Sequence, residues 1–67
     1  MKIKEILKDC TINTPNVFIY IIINEDIDLY KVDDLSILIN NYGNSDVIHW
    51  SMENIDGDTY VFFNVKG

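Results

Sequence analysis

The stretch Val17-Phe18-Ile19-Tyr20-Ile21-Ile22-Ile23 decides the fold of this chain. All seven residues are β-branched or aromatic, and none of them is charged. Such side chains suit a pleated surface and lose rotamer freedom in a helix, so the stretch predicts a β-strand. Because side chains alternate along a strand, both faces of this one are apolar. The pattern predicts a central strand that is covered on both sides within the chain, or on its second side by a partner.

The residues that follow predict a second strand. Asn24-Glu25-Asp26 is typical of a tight turn, and Ile27 to Val32 alternates well enough for an antiparallel neighbour. With a three-residue turn, Ile27 and Leu29 share a face with Ile19, Ile21 and Ile23, while Asp28, Tyr30 and Val32 share the other with Phe18, Tyr20 and Ile22. A slip of one residue would exchange these sets. The alternative is a helix that runs from Asp28 to Tyr42.

Two short helices flank these strands. Met1 to Cys10 carries apolar residues at i, i+3, i+4 and i+7, which form one helical face (Ile3, Ile6, Leu7 and Cys10). A connector from Thr11 to Asn16 follows, because Pro15 disfavours helix at Thr14. Leu35, Leu38, Ile39 and Tyr42 repeat the helical spacing. We expect Asp33 or Asp34 to cap this second helix and Gly43 to end it in the left-handed conformation.

Val47 to Glu53 and Thr59 to Lys66 predict a β-hairpin around the turn residues Asn54-Ile55-Asp56-Gly57. Pairing Glu53 with Asp58 places six apolar side chains on one face (Ile48, Trp50, Met52, Val61, Phe63 and Val65). The whole pattern predicts one α+β domain over residues 1–67, of order α-β-β-α-β-β. It consists of a small antiparallel four-stranded sheet built from two β-hairpins, with two short helices largely on one side.

The composition limits the classes of partner. The chain has 67 residues, a formal net charge of −6 and no arginine. Direct nucleic-acid binding and binding to anionic membranes are disfavoured, since both depend on cationic side chains. One cysteine and no signal-peptide pattern predict a cytoplasmic location. A charged partner is expected to be a larger protein with a basic surface.

No residue pattern indicates catalysis. His49 has no nucleophile placed beside it by the sequence, and Cys10 belongs to an apolar helical stripe, so both are expected to be structural. Asp56-Gly57-Asp58 lacks the ligand spacing of a calcium loop and is explained by a turn. Three isolated glycines cannot form a phosphate-binding loop. We therefore expect no enzyme activity, no cofactor and no metal site.

The predicted sheet leaves one face uncovered if both helices pack on the other. That face holds the candidate partner-binding residues: Phe18, Tyr20, Ile22, Asp28, Tyr30, His49, Glu53, Tyr60 and Phe62. Tyrosine-rich apolar surface with polar residues around it is typical of binding patches. The first functional hypothesis is a small acidic inhibitor or modulator that docks on a basic surface of a larger protein, as phage- or mobile-element-encoded inhibitors do. Its acids would then resemble nucleic-acid charge to a nucleic-acid-handling target. The alternative is a homo-oligomeric structural or adaptor protein, such as a homodimer, that uses the aromatic face on itself. A small-molecule or ion binder is a third class, for which no residue pattern argues.

Overall fold

A computed structural model describes residues 1–9 and 16–67 of the chain. Its elements are α1 (Ile3–Asp9), β1 (Asn16–Ile23), β2 (Asp26–Lys31), α2 (Leu35–Tyr42), β3 (Val47–Ile55) and β4 (Asp58–Val65). A short 3-10 helix, Val32–Asp34, joins β2 to α2. The predicted α+β class, with four strands and two helices, is confirmed. The prediction for Cys10 and most of the predicted connector lie outside the described residues.

The sheet is mixed, so the prediction of a purely antiparallel sheet is wrong. Its strand order is β2-β1-β4-β3, with β1 antiparallel to β2 and β3 antiparallel to β4. The two central strands, β1 and β4, run parallel to each other, from Asn16 beside Asp58 to Ile23 beside Val65. These two strands carry the most apolar sequences of the chain. Their pairing places both at the centre, where side chains are most easily buried.

The β1–β2 register differs by one residue from the prediction. Asn24 adopts a positive φ of 57° in a two-residue turn, and Ile23 lies opposite Asp26 rather than Ile27. Asparagine tolerates this backbone region better than most residues. The slip moves Ile27 and Leu29 to the face of Phe18, Tyr20 and Ile22. Asp28 and Tyr30 move to the opposite face, which is the reverse of the prediction.

The β3–β4 pair also turns more tightly than predicted. Asp56 and Gly57 have φ values of 52° and 84°, as a two-residue turn between twisted strands requires, so Asp58 pairs with Ile55 and not with Glu53. The two-residue shift leaves most faces unchanged. A bulge between Val47 and His49 is the exception, because it places Val47 opposite Val65. Ile48, predicted on the covered face, is 72% exposed.

Both helices pack on one face of the sheet and form the core with it. The buried apolar side chains are Ile3, Ile6, Val17, Ile19, Ile21, Leu38, Val61, Phe63 and Val65. Burying a side chain of this size contributes about 1.5–3 kcal/mol relative to leaving it exposed. Helix α1 has only seven residues and would not be stable alone, so the contacts of Ile3 and Ile6 hold it in place.

The ends of α2 differ from the prediction. Asp34 occupies the position before the helix, but its side chain makes no capping hydrogen bond, because the 3-10 turn already precedes α2. Gly43 has a right-handed φ of −56°, so the predicted left-handed stop is wrong. A side chain at Gly43 would collide with the carbonyl oxygen of Ile39. The glycine is required for this close approach, and its own carbonyl accepts a hydrogen bond from Lys4 N–H.

Candidate functional site

The sheet surface that faces away from both helices is the candidate site, and we call it the open face. The strand registers arrange it in three rows across the sheet. The first row is Lys31, Phe18, Tyr60 and Glu53; the second is Leu29, Tyr20, Phe62 and Ser51; the third is Ile27, Ile22, Asn64 and His49. None of these side chains belongs to the buried core. Aromatic and aliphatic groups therefore fill the centre of the open face, and polar groups lie along its β3 edge.

Two aromatic pairs cross the middle of the open face. Phe18 stacks on Tyr60 with ring centroids 5.3 Å apart, and Tyr20 stacks on Phe62 at 4.9 Å. These rings are half-buried by one another, since the described residues place no helix over them. A pair of parallel strands is normally covered on both faces. Here the described residues leave one face of the parallel pair β1–β4 uncovered, and that face carries rings.

Seven of the nine sequence-predicted site residues lie on the open face: Phe18, Tyr20, Ile22, His49, Glu53, Tyr60 and Phe62. Asp28 and Tyr30 lie on the helix side, opposite Ile21 and Ile19. Sequence reasoning missed Ile27 and Leu29, which are 62% and 50% exposed on the open face. The turn length was the signal that could have placed them, since a two-residue turn at Asn24-Glu25 reverses the faces of β2.

Asp28 and Tyr30 instead join β2 to α2. The hydroxyl of Tyr42 donates to Asp28 Oδ2 at 2.5 Å, and Asn41 Nδ2 donates to the hydroxyl of Tyr30 at 3.5 Å. The Tyr30 and Tyr42 rings meet edge to face with centroids 6.0 Å apart. The hydrogen bond to Asp28, helped by partial burial, raises the pKa of Tyr42 to about 12. These contacts have a structural role, because they hold the edge of the sheet to the helix.

Acidic side chains gather at one end of the sheet, which we call the acidic end. Because β1 and β4 are parallel, both begin there, and β2 and β3 both finish there. On the strands and turns at this end, the topology therefore collects five acids beside Lys31: Asp33, Asp34, Glu53, Asp56 and Asp58. Glu53 also belongs to the first row of the open face. The acidic end is thus continuous with the Phe18–Tyr60 stack.

The other end of the sheet is nearly balanced in charge. It carries Glu25, Asp26 and Asp46 with Lys2 and Lys66. Lys2 Nζ lies 2.8 Å from Asp46 Oδ1 and, chiefly through this hydrogen bond, lowers the pKa of the Asp46 carboxyl. Both side chains are exposed, so the pair contributes little to stability. Its effect is to neutralise one of the three acids at this end, whereas five acids lie at the acidic end.

One hollow and the metal-ligand side chains of the described residues bear on possible chemistry. A shallow hollow of about 320 Å³ lies between β2 and α2, lined by Ile21, Ile23, Asp26, Ile27, Asp28 and Tyr42, and these side chains do not include a nucleophile with a base. Within residues 1–9 and 16–67, no three His, Cys, Asp or Glu side chains come together as metal ligands. In the same part of the chain, no helix has the length and apolar character needed to cross a membrane.

No protein-family model, curated protein or solved structure gives a significant match to this chain.

Proposed function

We propose that this protein is a non-catalytic binding module that docks its open face on a larger protein. In this proposal the acidic end meets a basic surface of the target, and binding inhibits or modulates that target. The observation that carries the proposal is an uncovered face of stacked rings that continues directly into a concentration of carboxylates.

The apolar part of the open face supports a protein partner. Exposed Ile27 and Leu29 extend the ring stacks to the β2 edge, so apolar groups form one continuous patch. At strand spacings of about 4.8 Å and a rise of about 3.3 Å per residue, the apolar rows on β2, β1 and β4 span roughly 300 Å². The largest apolar patch on a typical monomer is about 300–600 Å² and is often an interaction surface.

The charge distribution supports a basic target. Carboxylates at the acidic end would steer a cationic surface toward the Phe18–Tyr60 stack and raise the association rate. A surface that normally holds phosphates is one such target, since closely spaced carboxylates present similar negative charge. We therefore favour a nucleic-acid-handling protein as the target, bound in place of nucleic acid.

The proposal is tested with one substitution on the open face and one matched control. Leu29→Gln places a neutral polar group in the second row of the face, whereas Ile37→Gln makes the same kind of change on the outer side of α2. Their side chains are equally exposed, at 50% and 51%. Immobilised wild-type protein and both variants are incubated with lysate of the organism that encodes the chain, at low and high salt, and bound proteins are identified by mass spectrometry.

We expect wild type and Ile37→Gln to retain the same basic protein and Leu29→Gln to lose at least tenfold of it. Retention should fall steeply with salt, because the acidic end is solvent-exposed and screened. Equal retention by Leu29→Gln would show that the open face is not the docking surface. Retention that does not change with salt would remove the basic target from the proposal.

A further inference from the structure

Among the described residues, strand β3 forms an edge of the sheet that is left unpaired along most of its length. It bonds to β4 on one side only, as the last strand in the order β2-β1-β4-β3. In the described chain, the N-terminal residues reach only the start of β3. There Val47 N–H donates to Met1 O, and Lys2 forms an isolated antiparallel β-bridge with Asp46. From His49 to Ile55 the outward N–H and C=O groups therefore meet no other described strand. Such an edge can accept another strand.

The two edges of this sheet are protected to different degrees. Strand β2 has six residues, three of them charged, and Asp28 is bonded to Tyr42 of α2. Strand β3 has nine residues with Glu53 as its single acid, and it exposes Ile48 and Met52. Charges and short length are the features that protect natural edge strands from pairing. The bulge of β3 is confined to its start, so the regular part from His49 onward is suited to pairing.

We propose that β3 pairs antiparallel with β3 of a second copy of this chain, so that Ser51 lies opposite Ser51 of the second copy and the two-fold axis passes midway between them. In this register Glu53 lies opposite His49 of the second copy, and His49 lies opposite its Glu53. Both side chains point to the open-face side, because they are two residues either side of Ser51. A histidine N–H can donate to a carboxylate in either protonation state of the ring. On the helix side, Trp50 meets Met52 of the second copy, which is a favourable ring–sulfur contact.

The neighbouring registers lack this complementarity. Opposite residues in an antiparallel pair point to the same side of the sheet. In a symmetric pair, one residue must therefore lie opposite its own copy, and that residue defines the register. If Trp50 lies opposite its own copy, Glu53 faces Val47. If Met52 lies opposite its own copy, Glu53 faces Ser51. The Ser51-centred register is the one among these three that pairs the acid with the histidine.

The resulting dimer has a continuous eight-stranded sheet. A two-fold axis perpendicular to the sheet keeps both open faces on the same side, where they form one larger surface. It also places the two acidic ends at opposite ends of the assembly, which reduces repulsion between two molecules of net charge −6. The dimer leaves the aromatic rows of both open faces uncovered, and it does not depend on the function proposed above.

The test exchanges charge across the predicted contact in the full chain, with the oligomeric state measured by sedimentation equilibrium. His49→Glu places two acids opposite each other, and Glu53→Lys places a lysine opposite the histidine. Each change affects both symmetric contacts, so each variant alone should dimerise about tenfold more weakly than wild type. Glu25→Lys changes the net charge as Glu53→Lys does, but at the β1–β2 turn, and should leave the dimer unchanged.

Mixing the two variants is the decisive measurement. In the mixture, the glutamate at position 49 of one chain lies opposite the lysine at position 53 of the other, and the second contact keeps the wild-type Glu53–His49 pair. Heterodimers should therefore form at least as tightly as wild type dimerises. A variant that failed to fold would not be rescued by mixing, and circular dichroism checks this directly. A wild-type chain that stays monomeric up to millimolar concentration overturns the proposal. A dimer that neither substitution weakens also overturns it, as does a mixture of the two variants that forms no heterodimer.

Discussion

At the scale of single residues, the hydrogen bond from Tyr42 to Asp28 has the clearest measurable consequence. The bond favours the neutral phenol in the folded chain, so the pKa of Tyr42 rises from 10.0 to about 12. A group whose folded pKa is raised stabilises the fold fully below its unfolded pKa, and the stabilisation is lost as pH rises through the folded value. Its contribution is therefore complete below pH 10 and disappears near pH 12.

Tyr42→Phe is expected to remove this dependence. In an ultraviolet titration of the folded protein, one of the four tyrosines should ionise near pH 12 in wild type, and that late step should be absent in the variant. The loss of stability of wild type between pH 10 and pH 12 should be smaller in Tyr42→Phe. If the late-ionising tyrosine persists in the variant, the hydrogen bond to Asp28 is not its cause.

At the scale of elements, the turn between β3 and β4 depends on the backbone of Gly57. Its φ of 84° is unfavourable for residues with a Cβ, although no atom would touch the added methyl group. Gly57→Ala should therefore lower the free energy of unfolding by about 1–2 kcal/mol, entirely through backbone conformation. Urea denaturation measures this change.

Gly57→Asn is the matched control for this turn. Asparagine tolerates positive φ better than alanine does, so this variant should recover a good part of the lost stability. Equal losses for alanine and asparagine would show that the backbone conformation at residue 57 is not what the glycine provides.

Individual elements could be predicted from sequence because their signals are local. The apolar run from Val17 to Ile23 and the spacing of Leu35, Leu38 and Tyr42 each depend only on neighbouring residues. The arrangement of elements does not. A single residue in the turn at Asn24 decides which face carries Leu29, and nothing local favours a parallel contact between β1 and β4. For this reason the ring-bearing face could be anticipated, whereas Asp28, Tyr30, Ile27 and Leu29 were assigned to the wrong sides.

At the scale of the whole molecule, alanine substitutions at the neighbouring residues Phe62 and Phe63 test which side of the sheet is covered. Phe63 is fully buried beneath the helices, and Phe62 is half-buried on the open face. Phe63→Ala should lower the free energy of unfolding by about 3–5 kcal/mol, because it leaves a cavity in the core. A chain of this size has only a few kcal/mol of net stability, so this variant should be largely unfolded.

Phe62→Ala is the comparison and should cost about 1–2 kcal/mol, since an open-face side chain leaves no enclosed cavity. The cost at Phe62 comes from urea denaturation followed by the fluorescence of Trp50, the single tryptophan, and circular dichroism without denaturant shows whether Phe63→Ala is folded. Similar costs at the two positions would mean that both faces are covered in the monomer. The open face would then have no surface available for docking.

The parallel contact between β1 and β4 also determines how the chain could be divided. It joins strands from the two halves of the sequence, so a break in the segment after α2 would give two fragments that each hold one central strand. Neither fragment alone could satisfy the backbone groups along its inner edge, and the missing neighbour is present in the other piece. The fold therefore has the connectivity of a split reporter, in which fragments fused to two other proteins reassemble when those proteins meet.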